Sequence, residues 1–337
     1  GSNLAEALLR REDTQHISVV GIDDLSTGDY SNVTHLEKLY KGRYTCYIFD
    51  IKHPFVDGPS LRDIAQSCDT VVHLAATVGV KRVIEDANRV ISNNLESTAA
   101  VLRACEELKI RCIIASTSEV YGKNPKSSLT PNDDSIFGSA YRNRWAYAVS
   151  KLVDEFHAIH SSKKKGLEVL ITRFFNTSGK NQSSEYGMVI PTMVDRALKG
   201  EDILVTANGD QTRCFTSIKD VCAMLETLIF MDDSLWSDYS GKILNIGSTV
   251  ECSIRELATL IVEKTKSHST IKFNREKEIY GSLENFEDMQ KRVPNIDDIK
   301  TIIVRQMSID AQKLPEKIRV DHGLLFESVD EIVDDVI

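Results

Sequence analysis

Tyr147 and Lys151 stand four residues apart in the run Tyr147-Ala-Val-Ser-Lys151. On an α-helix that spacing puts both side chains on one face. An ammonium beside a phenol favours the phenolate. The pair is therefore expected to lower the pKa of Tyr147 and make it a general base near neutral pH. Alone, the spacing is common on solvated helix faces, so its setting matters. The apolar run 111–115 leads into Ser116-Thr117-Ser118-Glu119-Val120-Tyr121-Gly122. If 111–115 is a strand, Thr117 and Ser118 lie at its C-terminal edge, where parallel α/β sheets carry their sites. A hydroxyl there can hold the oxygen that Tyr147 deprotonates. The bland alternative is a turn with capping hydroxyls.

The elements needed to position these groups are legible as alternating patterns. Apolar, β-branched runs at 17–22, 45–49, 70–74, 111–115 and 168–172 predict strands. Helical spacing at 61–67, 91–108 and 147–160 predicts helices between them. The first residues also read as helix. Short apolar strands alternating with helices imply a parallel sheet covered on both faces, a doubly wound α/β fold. Beyond Asn176 the pattern loosens, with helices predicted at 188–198 and 254–264 and a strand at 243–246. Residues 1–175 are expected to form the sheet domain. Residues 176–337 are expected to form mostly a smaller substrate-binding lobe, with some segments returning to the sheet.

The chain has 337 residues and a net charge of -9, without a long basic run. Nucleic acid is therefore not expected as a main partner. Seven scattered cysteines, none spaced Cys-x-x-Cys, argue against a disulfide framework and a structural zinc site, and point to a reducing, cytoplasmic setting. No apolar run approaches membrane-spanning length.

Taken in order, several pieces resemble the extended short-chain dehydrogenase/reductases that modify nucleotide sugars. They are Asp23-Asp24-Leu25-Ser-Thr-Gly28, Asp50-Ile51, His73-Leu-Ala-Ala76, Asn93-Asn94, Thr117 to Gly122, Tyr147 with Lys151, Arg173-Phe-Phe-Asn176, Gly187 to Pro191, Arg213 and Asn245-Ile-Gly247. The resemblance implies a Rossmann-like fold with NAD as cofactor. Asp23 would accept hydrogen bonds from the adenosine ribose and repel a 2′-phosphate. Asp50 and Ile51 would hold the adenine. Ala75 and Ala76 would leave room for the cofactor, and Asn94 would anchor the helix near the nicotinamide. Asn176 and Arg213 would bind the pyrophosphate of a nucleotide sugar, with a UDP-sugar expected, and Val189 would lie against the base. The family commonly pairs into homodimers through the helix carrying Tyr147 and the long helix before it.

The residues after Thr117 discriminate among reactions. Ser118-Glu119 resembles the UDP-glucuronate decarboxylases; family dehydratases resemble Asp-Glu there. Gln290-Lys-Arg292-Val-Pro294 resembles the decarboxylases' Arg-x-Pro segment, which implies that Arg292 orients a uronate carboxylate or pairs with Glu119. The implied chemistry is C4 oxidation using Tyr147 and Thr117, loss of CO2 from the 4-keto uronate, and reprotonation at C5 with help from Ser118 and Glu119. The alternatives are a sugar 4-epimerase using the same Tyr147, Lys151 and Thr117, and a catalytically dead nucleotide-sugar sensor. The sequence departs from the family pattern at its start. Gly1 resembles the last glycine of the cofactor loop, while the first strand and the earlier glycines are expected to be missing. The neighbours of that strand would then be unpaired. The segment after Ile299 also fits the family poorly.

Overall fold

The computed structural model describes residues 1–11, 16–53, 58–274, 291–320 and 326–337. Gln290 of the predicted Arg-x-Pro segment lies outside them. Helix α1 (Ser2–Arg10) opens the chain. It is followed by β1 (Val19–Asp23), α2 (Tyr30–Leu39), β2 (Tyr44–Ile48), α3 (Leu61–Ala65), β3 (Thr70–His73) and α4 (Val80–Glu85). The long helix α5 (Ala87–Leu108) leads to β4 (Arg111–Thr117), and α6 (Ala146–Lys165) leads to β5 (Val169–Phe174). These agree with the predicted elements to within a few residues at each end. Helix α2 was not anticipated: Asp29 caps it by accepting from Ser31 N, but its apolar face is only Val33 and Leu36.

The strands pair in parallel, as expected, but not as one sheet. One sheet has the order β10-β5-β4-β3, where β10 (Ile243–Ile246) returns from the second half to lie beside β5. β1 and β2 form a separate parallel pair. Among the described residues no strand joins β1 to β3. Residues Val19 to Ile22 on β1 and Thr70 to Val72 on β3 are only half-buried, whereas β4 and β5 are almost wholly buried. Among the described residues, β1 and β3 therefore each present one unpaired edge.

The main core packs α1, through Leu4 and Leu8, against Val221, Met224 and Leu228 of α8 (Ile218–Ile229) and against Trp236. Residues 296–318 join this core through Ile296, Leu314 and Ile318. The helix Asp297–Asp310 buries Ile299, Ile302 and Ile303. Its acidic first turn, Asp297 and Asp298, suits the positive end of a helix dipole. A second cluster joins α7 (Val189–Leu198), β7 (Ile203–Thr206), α10 (Ile254–Thr265) and the helix Val329–Val336.

Candidate active site

Strand β4 delivers Thr117, and the chain turns at once into a 3-10 turn, Ser118–Tyr121. The Thr117 hydroxyl caps that turn by accepting from Glu119 N at 3.2 Å. Gly122 closes it at φ +57, and a Cβ there would meet the carbonyl oxygen of Ile136 at 2.0 Å. Only glycine fits such an approach. Helix α6 carries Tyr147 and Lys151 on the face toward this turn, and Tyr147 shares a hydrogen bond with the Thr117 hydroxyl.

A buried polar network fixes these elements. Glu155 on α6 accepts from Arg173 Nε at 2.8 Å and Nη2 at 2.7 Å, and from Ser116 Oγ at 2.5 Å. The Arg173 guanidinium also lies over the Tyr121 ring at 4.6 Å. Tyr121 OH donates to Asn245 Oδ1 at 2.7 Å, and Asn245 Nδ2 donates to the carbonyls of Leu129 and Asn295. Leu129 in turn holds Val293 and Asn295 by backbone bonds of 2.8 Å. The segment bearing Arg292 is thereby pinned to the end of β10. Family-order residues Arg173 and Asn245 thus act as scaffold.

Glu119 is the electrostatic centre. Arg144, in the short turn before α6, meets both of its oxygens, with Nη2 at 3.1 Å from Oε1. Arg292 Nη1 reaches the same Oε1 at 3.4 Å and Ser118 Oγ at 3.3 Å, and Arg292 Nη2 reaches Asn176 Oδ1 at 3.4 Å. Burial alone would push the Glu119 pKa up. The charges of Arg144, Arg292 and Arg213, with the Arg144 hydrogen bond, instead bring it down to about 2. Pairing of Arg292 with Glu119 is as expected. The C5 proton donor expected of Glu119 is not present in this arrangement, because a carboxyl so held is ionised at neutral pH.

Tyr147 also departs from expectation. Its pKa is raised, first by burial and then by the negative charge of Glu119, with Asp154 adding to them and only the Thr117 hydrogen bond opposing. Lys151 does not lower it here, because its Nζ donates to Asp154 Oδ2 at 2.7 Å, with both side chains 2% exposed.

A continuous cavity of about 1910 Å³ runs past these groups. Its walls include Gly1, Asp23, Asp50, Ile51, Ala75, Ala76, Thr117, Ser118, Glu119, Tyr147, Lys151, Asn176 and Arg292. Asp23 ends β1 and accepts from Leu25 N at 2.8 Å through Oδ1. Asp50 is braced by Lys52, whose Nζ also donates to Asn93 at 2.7 Å. Three predicted residues are not on this wall. Asn94 is 1% exposed; it accepts from Thr77 N at 2.7 Å and donates to Ser150 Oγ at 3.1 Å, so it ties the loop after β3 to α6. Val189 begins α7 and packs into the second core cluster. Arg213 donates to its neighbour's carbonyl, Thr212 O, at 2.7 Å and acts on Glu119 through its charge.

Sequence patterns did not single out Arg144, Asp154 or Arg82. Arg82 donates to Ser26 O at 2.9 Å and lies over the Tyr186 ring at 4.2 Å, strapping one cavity wall to the other. Asp154 carried a usable signal, its place three residues after Lys151 on the same helix, whereas Arg144 lies in the turn before that helix.

A family model described as GDP-mannose 4,6 dehydratase matches residues 1–316. The chain belongs to this family, the NAD-dependent epimerases and dehydratases of the extended short-chain dehydrogenase/reductase type. A UDP-N-acetyl-α-D-glucosaminuronate decarboxylase of Bacillus cytotoxicus is 34% identical over 307 residues, covering 89% of this chain and 87% of the relative. UDP-glucuronic acid decarboxylase 1 of Danio rerio is 27% identical over 305 residues, covering 90% of this chain and 65% of the relative. The fold is shared with a UDP-glucuronic acid 4-epimerase from Bacillus cereus, solved with UDP-glucuronic acid and NAD. The TM-score is 0.78 at 24% identity, covering 99% of this chain and 93% of that one. A dTDP-glucose 4,6-dehydratase from Streptomyces venezuelae gives 0.77 at 21% identity, covering 100% and 92%.

Proposed function

We propose that the chain is an NAD-dependent decarboxylase of a UDP-linked hexuronate, yielding a UDP-pentose. The observation that carries this reading is the cluster in which Arg144 and Arg292 converge on Glu119 beside the Thr117–Tyr147 pair. Two guanidinium groups held there would receive a substrate carboxylate beside the pair that handles the C4 hydroxyl. Planar guanidinium forks suit that task.

The cavity fits the cofactor: it runs from the Asp23 carboxylate, past the small side chains of Ala75 and Ala76, to Tyr147 and Lys151. Asp23, Asp50 and Ile51 would hold the adenosine half, with Gly1 near the pyrophosphate and Lys151 near the nicotinamide ribose. Held there, NAD would supply the hydride acceptor for C4 and the source of the hydride's return. Tyr147 takes the C4 hydroxyl proton and Thr117 steadies that oxygen. The resulting 4-keto uronate is a β-keto acid, so its C5–carboxylate bond breaks with loss of CO2, leaving the electron pair on the enolate. The substrate carboxylate competes with Glu119 for Arg144 and Arg292. A Glu119 deprived of those partners is governed by burial, which raises its pKa and lets it carry the proton that C5 needs. Asn176, on the cavity wall, would face the UDP pyrophosphate.

The second cluster, on α7 and α10, supports a separate substrate-binding lobe within 176–337. The outward stripe Val149, Val153 and Phe156 on α6, with Phe156 66% exposed, supports a homodimer built on α5 and α6. Free cysteines throughout the described residues and the absence among them of a helix able to cross a membrane support a cytoplasmic setting. The test is incubation with UDP-glucuronate, or its 2-acetamido analogue, and NAD+ while CO2 is measured. Release of CO2 supports decarboxylation. C4 inversion without CO2 would favour the 4-epimerase, a fold shared with the Bacillus cereus structure.

A further inference from the structure

The first chemistry expected of Lys151 is to stabilise a Tyr147 phenolate, yet the ammonium is engaged elsewhere. Lys151 Nζ donates to Asp154 Oδ2 at 2.7 Å, three residues along α6, with both side chains 2% exposed. No hydrogen bond joins Lys151 to Tyr147 among the described residues. Asp154 also accepts from the Thr98 hydroxyl on α5. Thr98 Oγ1 lies 3.2 Å from His73 Nε2 at the end of β3. Thr98 gives its proton to Asp154, so His73 Nε2 donates to Thr98. Burial, with the charge of Lys151, brings the His73 pKa down to about 3, so the ring is neutral. A continuous buried chain, His73–Thr98–Asp154–Lys151, therefore ends beside the catalytic phenol.

We propose that Asp154 is a positioning residue for the catalytic pair: its carboxylate engages the Lys151 ammonium and thereby governs when Tyr147 can act as a base. Two observations support this. A buried ammonium needs a counter-charge, and Asp154 is its only acceptor among the described residues. Asp154 also adds its own negative charge to the field on Tyr147. Asp154 thus opposes the phenolate twice, by its own charge and by occupying the one cation on the helix able to stabilise it. The other charged or titratable groups facing this chain have partners or weak effects. Glu119, from the turn after β4, is held by Arg144 and Arg292. Glu155, on α6, is held by Arg173 of β5. His157, also on α6, acts on Asp154 only through its charge.

The role is separable from the decarboxylation reading, because it is visible in the protein without substrate; only the turnover arm rests on that reading. The first arm titrates Tyr147 by tyrosinate absorbance in the full chain, with Tyr147→Phe in each background isolating its signal. In Asp154→Asn the released ammonium turns to the phenol, and the Tyr147 midpoint is expected to fall by about one pH unit or more. Lys151→Met should then raise the midpoint strongly in the Asp154→Asn background and little in the wild type. A midpoint that stays put or rises in Asp154→Asn would overturn the proposal, because Lys151 would then have lost its proton. Asp154→Ser removes the same charge and leaves space for water; it serves if the Asn variant does not fold, with the same shift expected. In the second arm, the acid limb of the kcat profile should move down by the same interval, a gain of about tenfold in rate below that limb. No turnover in wild type and variant alike, with the midpoint shifted, would count against the proposed reaction and not against the role of Asp154.

Discussion

Arg144 grips both oxygens of Glu119 through its two terminal guanidinium nitrogens, and Arg292 reaches Oε1 at 3.4 Å from a different part of the chain. On the proposed reading, the substrate carboxylate takes the place of Glu119 between these two arginines. Removing either arginine should therefore discriminate among substrates. Arg144→Ala and Arg292→Ala are each expected to lower kcat/KM for a UDP-hexuronate by roughly 30-fold or more, the scale of a lost buried charged partner. Binding of a UDP-hexose, whose sugar carries no carboxylate, should change by less than about threefold, measured by calorimetry. Equal losses on both ligands would show that the arginines serve the fold and not the carboxylate.

The same cluster predicts a pH dependence. The Glu119 pKa is lowered in the folded chain from 4.5 to about 2. A depressed carboxyl contributes stability that is present above its unfolded pKa and lost as the pH falls through its folded one. That contribution should disappear between pH 4.5 and about 2. Glu119→Gln should flatten the fall in urea midpoint across this window relative to wild type.

Behind the site, the Glu155–Arg173 pair is buried on both sides, with side chains 2% and 4% exposed. Breaking one half strands a buried charge. Glu155→Ala is expected to cost about 3–5 kcal/mol of unfolding free energy, and Ser116 would lose its hydrogen-bond partner with it. Urea denaturation measures this directly. A cost under about 1 kcal/mol would mean that water solvates Arg173 at little penalty.

The outward face of α6 gives a prediction of assembly. Phe156→Glu places a charge at the most exposed end of the Val149–Val153–Phe156 stripe. Sedimentation equilibrium should find a dimer for the wild type and a monomer for the variant. A wild-type monomer at micromolar concentration would contradict the α5–α6 pairing.

Much of the fold was legible because its strands are short apolar runs bounded by polar turns, and because α5 and α6 keep helical spacing for 22 and 20 residues. The Tyr147–Lys151 pair and the Thr117–Ser118–Glu119 turn could be read for the same reason: spacing along one element maps directly onto geometry. Arg144 could not be read this way. It sits in an irregular three-residue turn, Asn143–Trp145, whose direction is set by packing and not by periodicity. The state of Lys151 differs from expectation because the Tyr147–Lys151 spacing, taken alone, leaves out Asp154, which stands one turn further along the same helix and competes for the ammonium. Val189 and Arg213 were assigned from motif order, and order along a chain does not report whether a side chain turns to the cavity or to the core. The helix Asp297–Asp310 was missed because its Ile302-Ile303-Val304 run reads equally well as strand.

The measurement closest to the central claim uses UDP-glucuronate labelled with 13C at the carboxylate, incubated with the chain and NAD+ and followed by NMR. Decarboxylation predicts labelled CO2 and bicarbonate appearing in step with an unlabelled UDP-pentose or its 4-keto precursor, and neither with Tyr147→Phe. Label retained in a C4-inverted UDP-hexuronate would contradict the account.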